Sequence, residues 1–187
     1  MFRRTLIGLL ATTALTATLV AGTAATAAPQ AKADVGVAVV TLTYSDTRAG
    51  EFKDVVARGV AVWNSNVTSV RIQKAAAGQH ADITVIADNG WPRATLGPVQ
   101  PGESVTVWMG RQAVEDGYSP VRIAAHELGH SLGLPDIKPG PCSSLMSGST
   151  GGLSCTNVNP NTSERNRVQN TYANLSAPAA NKVVVVD

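Results

Sequence analysis

The run His126-Glu127-Leu128-Gly129-His130-Ser131-Leu132-Gly133-Leu134-Pro135-Asp136 constrains this chain more than any other segment. Residues four apart share one face of an α-helix, so His126 and His130 can aim both imidazoles at one point. Glu127 is turned away from that pair around the helix and is placed as a base, not as a third ligand. Gly133 suits the left-handed turn that ends a helix, which lets the chain double back and bring Asp136 toward the histidines. The segment therefore demands a helix, a sharp stop and a return. Two histidines and an acid at this spacing are the donor set of a zinc hydrolase, in which the acid takes a proton from the water that the metal activates.

The third ligand is open at this level. The chain has three histidines, His80, His126 and His130, so an all-histidine site would need His80 from a loop far upstream. Asp136 is nearer and is favoured. Glu164 is the other candidate, as in zinc peptidases whose third ligand is a downstream glutamate. Asn161 and Glu164 also stand in capping-box spacing, which explains Glu164 without a metal. The plainer alternative has both histidines in the core and Glu127 at the surface. A capped helix start just upstream and a glycine stop at the right place weigh against it.

Arg3 and Arg4 precede an uncharged stretch from Thr5 to about Val20 and small residues around Ala25-Thr26-Ala27. This is the pattern of a secretory signal peptide, expected over residues 1–27, with a short pro-segment or linker over 28–36. Thr, Ala and Gly dilute the stretch too far for a membrane anchor, so the mature protein is expected to be secreted and unanchored. Residues 1–33 hold three of the 15 basic residues and none of the 13 acidic ones, which leaves the remainder with 12 against 13, a net charge of −1. The basic character belongs to the leader, and nucleic acid is excluded as a partner. What remains is about 150 residues, the size of one domain with one core. It is assigned to 37–175, with a tail over 176–187, and is expected to be a monomer. Cys142 and Cys155 fit a disulfide in an oxidising compartment, closing a loop for which the chain-entropy relation gives about 3 kcal/mol.

Residues 37–44, 69–73, 81–87 and 104–109 read as strands, the last near a sheet edge. Residues 49–63 form an amphipathic helix with Phe52, Val55, Val56, Gly59, Val60 and Trp63 inward. Residues 88–103, dense in Gly and Pro pairs, make a long loop or wide hairpin. Ser119 is an N-cap with Pro120 at the first position of the helix that carries the histidines. The chain is then irregular to Pro160, its order expected from metal and disulfide. A last helix from Thr162 to about residue 175 turns Val168, Tyr172 and Leu175 inward. The order of elements suggests an α+β fold with a mixed sheet of about four to five strands.

The pattern H-E-x-x-H-x-x-G-x-x-D, followed ten residues later by Met146 in Ser144-Leu145-Met146-Ser147-Gly148, resembles the snapalysins, small secreted neutral metalloproteases within the metzincin clan. The resemblance spans about residues 40–174 and includes Trp63-Asn64-Ser65, Gly140-Pro141-Cys142-Ser143, Ser154-Cys155-Thr156-Asn157 and Glu164-Arg165. It implies a small single-domain metzincin-like fold with one catalytic Zn2+ bound by His126, His130 and Asp136. By the same resemblance Glu127 is the base, Met146 forms a turn beneath the metal, and a Cys142–Cys155 disulfide braces that turn. It further implies protein or peptide substrates, a preference for an aromatic residue just after the scissile bond, and a secreted protein inhibitor as a possible partner. An extended substrate would add to an edge strand around residues 104–108. Two departures stand out. Lys138 occupies a place where the family has a tyrosine, and is read as a solvated charge. Ser119 and Val121 lack the carboxylates that calcium would want, so calcium is not carried over. The rival from another class is a secreted binding protein whose zinc only stabilises the loop-rich C-terminal half. Glu127 argues against it, since structural zinc sites close all four positions and need no base.

Overall fold

A computed structural model describes residues 38–176; the leader expected over 1–27, the segment over 28–36 and the tail beyond 176 lie outside the described residues. Strand β1, Val40–Arg48, alternates Leu42, Tyr44 and Asp46 inward. After a 3-10 turn over Gly50–Phe52, helix α1, Lys53–Asn66, buries Val56, Gly59, Val60 and Trp63, while Val55 is only half-buried. The chain then returns as β2, Val70–Lys74, parallel to β1. Asn64 secures this unit, because its side-chain amide donates to Ile72 O (2.7 Å) and its carbonyl accepts from Ile72 N–H (2.8 Å), as a neighbouring strand would.

Strands β3, Ile83–Asp88, and β5, Val105–Gly110, extend the sheet in parallel, and the short β4, Arg93–Ala94, closes it antiparallel to β5. The order β2-β1-β3-β5-β4 makes a five-stranded mixed sheet, and the fold is α+β as expected. Residues 104–109 lie near an edge as expected, but the expectation that residues 104–108 are themselves the edge strand is corrected. β5 pairs with β3 along its whole length and with β4 at Val107 and Trp108, so β4 is the edge. Two residues of strand carry no alternation, so nothing in the loop's composition marks β4.

A short helix α2, Arg111–Glu115, was not foreseen; it follows β5 directly and leads to α3, Pro120–Ser131. α1 crosses α3 closely, because a Cβ at Gly59 would lie 3.0–3.1 Å from atoms of Ala124 and Ala125. Beside that crossing, Trp63 Nε1–H donates to Ala125 O at 2.8 Å. Helix α4, Thr162–Ser176, buries Val168 and Tyr172, and the Tyr172 hydroxyl donates to Val99 O at 2.8 Å. Leu175 is 42% exposed, contrary to expectation, because helical spacing continues past the end of the core. Among the described residues no helix is long and apolar enough to cross a membrane.

Candidate metal centre

Helix α3 is buried over nearly all its length, and that burial includes His126 and Glu127. Pro120 opens it and Ser119 Oγ accepts from Arg122 N–H at 3.5 Å. At its end Gly133 takes a φ of +93°, which glycine adopts without Cβ strain, and Leu134 N–H closes back onto Gly129 O at 3.0 Å. The chain thereby reverses and lays Asp136 across the helix end.

The reversal brings three atoms together. His126 Nε2 and His130 Nε2 are 3.1 Å apart, and Asp136 Oδ1 stands 3.3 Å from the first and 3.5 Å from the second. Each imidazole is fixed through its other nitrogen, His126 Nδ1 to Leu145 O (3.0 Å) and His130 Nδ1 to Leu134 O (2.7 Å). A carbonyl only accepts, so each Nδ1 carries the hydrogen, and in the neutral ring each Nε2 presents a lone pair. Three acceptors thus converge with no donor between them, an arrangement that a cation resolves. Ligands about 2.0–2.1 Å from a tetrahedral zinc stand about 3.3–3.4 Å from one another, and this donor set fits that ion.

Glu127 joins the group from the side, its carboxylate within 4.8 Å of the histidine nitrogens. Its Oε2 is buried with no hydrogen-bond partner among the described residues. Burial raises the Glu127 carboxyl to about 7, and His126 and the other nearby charges modify this less. Burial, with His126 alongside, pushes the His130 imidazole below its ordinary value, which favours the neutral ring. Asp136 is held well below the usual carboxylate range by the His126 ring, which can donate to it only when Nε2 is protonated, and, on the other side, by Lys138. The cluster opens into a cleft of about 410 Å³ walled by Trp91, Leu96, Tyr118 and Ile123, with the edge strand β4 along one side.

The description "Streptomyces extracellular neutral proteinase (M7) family" matches residues 39–174. The chain belongs to this family. It is 38% identical to the extracellular small neutral protease of Streptomyces coelicolor over 151 residues, covering 81% of this chain and 68% of that protein. The protein of the same name from Streptomyces sp. (strain C5) is 40% identical over 147 residues, 79% of this chain and 62% of its own length. That of Streptomyces caespitosus is 38% identical over 135 residues, 72% of this chain and 98% of its own length. With the paired histidines and Glu127 in place, the chain is a neutral metalloprotease of an extracellular family.

In this proteinase the segment after the site is ordered by more than the expected disulfide and metal. Cys142 and Cys155 are bonded. Between them a 3-10 segment, Leu145–Gly151, is gripped by two buried charges. Arg122, one helical turn before His126, donates to Ser144 O (2.8 Å), Ser147 Oγ (2.9 Å) and Asn157 O (2.6 Å). Burial lowers the Arg122 guanidinium from its ordinary value, and the charge of Glu164 opposes this. Glu164 accepts from Ser144 Oγ (2.6 Å), Leu145 N–H (3.2 Å), Met146 N–H (3.0 Å) and Asn161 N–H (2.7 Å). Its four acceptor positions are taken, so Glu164 is a brace and a helix cap. Met146 is fully buried under α3, where a Cβ at Gly129 would meet its Sδ at 2.8 Å.

His80 is engaged elsewhere, with Nε2 2.9 Å from Glu103 O and 3.5 Å from Asp82 Oδ1. Lys138 is not a free solvated charge: its Nζ donates to Asp136 Oδ2 at 2.9 Å. Arg122 was missed by sequence reasoning. The available signal was a lone basic residue on the helix otherwise destined for burial.

Proposed function

We propose that this proteinase hydrolyses peptide bonds with zinc held by His126, His130 and Asp136 and with Glu127 as the general base. The observation that carries this is the convergence of three lone-pair donors at 3.1–3.5 Å beside a buried carboxylate oxygen that has no partner. Zinc, when bound, supplies a Lewis acid that polarises the scissile carbonyl and brings the ionisation of water toward neutral pH. His126 and His130 hold their tautomers through Leu145 O and Leu134 O, so their Nε2 atoms need no rearrangement. Glu127 removes a proton from the attacking water and returns it to the leaving amine, and its position in a buried pocket keeps that proton from bulk solvent.

An extended substrate lies along β4, whose outer edge borders the cleft, and an aromatic residue following the scissile bond enters the apolar part of the cleft beside Tyr118 and Ile123. The deciding experiment is E127Q. It retains stoichiometric zinc and loses at least about 100-fold in kcat, as expected for loss of a general base. Full activity in E127Q refutes the role of Glu127, and unchanged zinc affinity in D136A refutes the ligand set. A cleavage profile on a peptide library, with and without chelator, tests the aromatic preference.

A further inference from the structure

Asp136 uses its two oxygens differently. Oδ1 stands 3.3 and 3.5 Å from the histidine nitrogens, whereas Oδ2 accepts from Lys138 Nζ at 2.9 Å. Lys138 lies on the same return segment and lines the cleft. Its stem runs against Gly148, where a Cβ would come 2.7 Å from Lys138 Cε and 3.1 Å from Nζ. A side chain at 148 would displace the lysine, and the φ of +52° there is one that glycine accepts.

We propose that Lys138 is the positioning residue for the aspartate ligand: by holding Oδ2 it presents Oδ1 alone to the metal. The proposal rests on the reading of Asp136 as a ligand. Asp136 is 43% exposed on irregular chain, with no ladder to fix its rotamer. An aspartate free to swing must lose that freedom when the ion binds, and one already pinned does not. A carboxylate with both oxygens free can also turn its second oxygen to the ion or away from it. Lys138 removes both alternatives. Opposing this, the ammonium repels a cation, but it acts on the far oxygen and through solvent, where such repulsion is weak.

Partners that orient a metal ligand typically change metal affinity about 10- to 100-fold. A half-exposed ion pair belongs at the low end, so about tenfold is expected. The test measures zinc affinity by competition with a chromophoric chelator. K138M weakens zinc about tenfold, and K138R, which keeps a charged donor, restores it to within about threefold. In a D136A background K138M has no further weakening effect, because only the repulsion is left to remove. Unchanged affinity in K138M, equal losses in K138M and K138R, or an undiminished loss in the D136A background overturns the role of Lys138. If wild type binds no zinc, or D136A binds it as wild type does, the ligand assignment falls and this proposal with it. If D136A is weakened while K138M is not, only the role of Lys138 falls.

Discussion

Glu164→Gln perturbs the brace while keeping its shape. In the wild type, Oε1 accepts from Ser144 Oγ and Met146 N–H, and Oε2 from Leu145 N–H and Asn161 N–H. An amide has one acceptor oxygen, so its NH2 faces either Leu145 N–H and Asn161 N–H, or Met146 N–H beside a Ser144 hydroxyl that can turn to accept; at least one buried backbone donor is left unsatisfied. Hydrogen bonds to a charged group contribute about 1.5–3 kcal/mol each, and at least one is lost. The buried Arg122 guanidinium loses a nearby counter-charge as well. The loss is at least about 1.5–3 kcal/mol, a substantial part of the roughly 5–15 kcal/mol that holds a domain of this size together. For a domain of about 150 residues this lowers Tm by on the order of 10 °C. Urea unfolding of the disulfide-intact protein with saturating zinc measures the loss directly, and chelator competition measures zinc separately. Zinc stays bound in E164Q at neutral pH, because the carboxylate braces the turn and is not a ligand. A change below about 1 kcal/mol refutes the brace, and abolished zinc binding in a variant that remains folded refutes the reading of Glu164 as a brace and not a ligand.

Two further outcomes follow from buried contacts. Gly129→Ala places a Cβ 2.8 Å from Met146 Sδ and 3.1 Å from Trp63 Cζ2, both fully buried, and is expected to cost about 1–3 kcal/mol in urea unfolding; a neutral result means that Met146 has room to retreat. For Asp82, burial raises the carboxyl, but bonds from Thr43 N–H (2.7 Å), Gly102 N–H (2.6 Å) and Thr43 Oγ1 (2.8 Å) outweigh it and leave it below the ordinary 3.8. Its ionised form therefore stabilises the fold above the unfolded value, and that contribution is lost as pH falls through the lower folded value. The stability gap between wild type and D82N should thus be full at pH 6 and shrink as pH drops below about 4; a gap that stays constant or widens on acidification contradicts this sign.

The helix, its stop and the return were legible because metal chemistry ties residue type to spacing: a ligand pair needs one helical turn, and Gly133 has the one side chain that costs nothing at φ +93°. The strands β1 and β3 and the inner face of α1 were legible for a related reason, since strand-forming residues or helical spacing run long enough to declare an element. Where the pattern is short, reading stops. β4 has two residues and exists only because β5 offers it a ladder, so the true edge of the sheet could not be read from composition. Leu175 obeys helical spacing but lies beyond the body it was expected to touch. Lys138 finds its partner two residues earlier, a pairing that regular helix forbids and that the irregular return permits.

The stretch around the 3-10 segment Leu145–Gly151 also shows why fold and site are one problem in this proteinase. It has no β-ladder, and beside its own backbone turns it finds partners in side chains of opposite charge. Arg122 comes from the motif helix and takes the carbonyl of Ser144, while Glu164 comes from the last helix and takes the amides of Leu145 and Met146. Leu145 O is then the acceptor that fixes the tautomer of His126. A charge on α4, distant in sequence from the motif, thus reaches His126 through a single residue, Leu145, held by its amide and holding by its carbonyl. The buried His126 ring is oriented by a residue that the brace also holds. The capping spacing of Glu164, visible in the sequence as a local feature of one helix, is thus linked through Leu145 to a histidine of another.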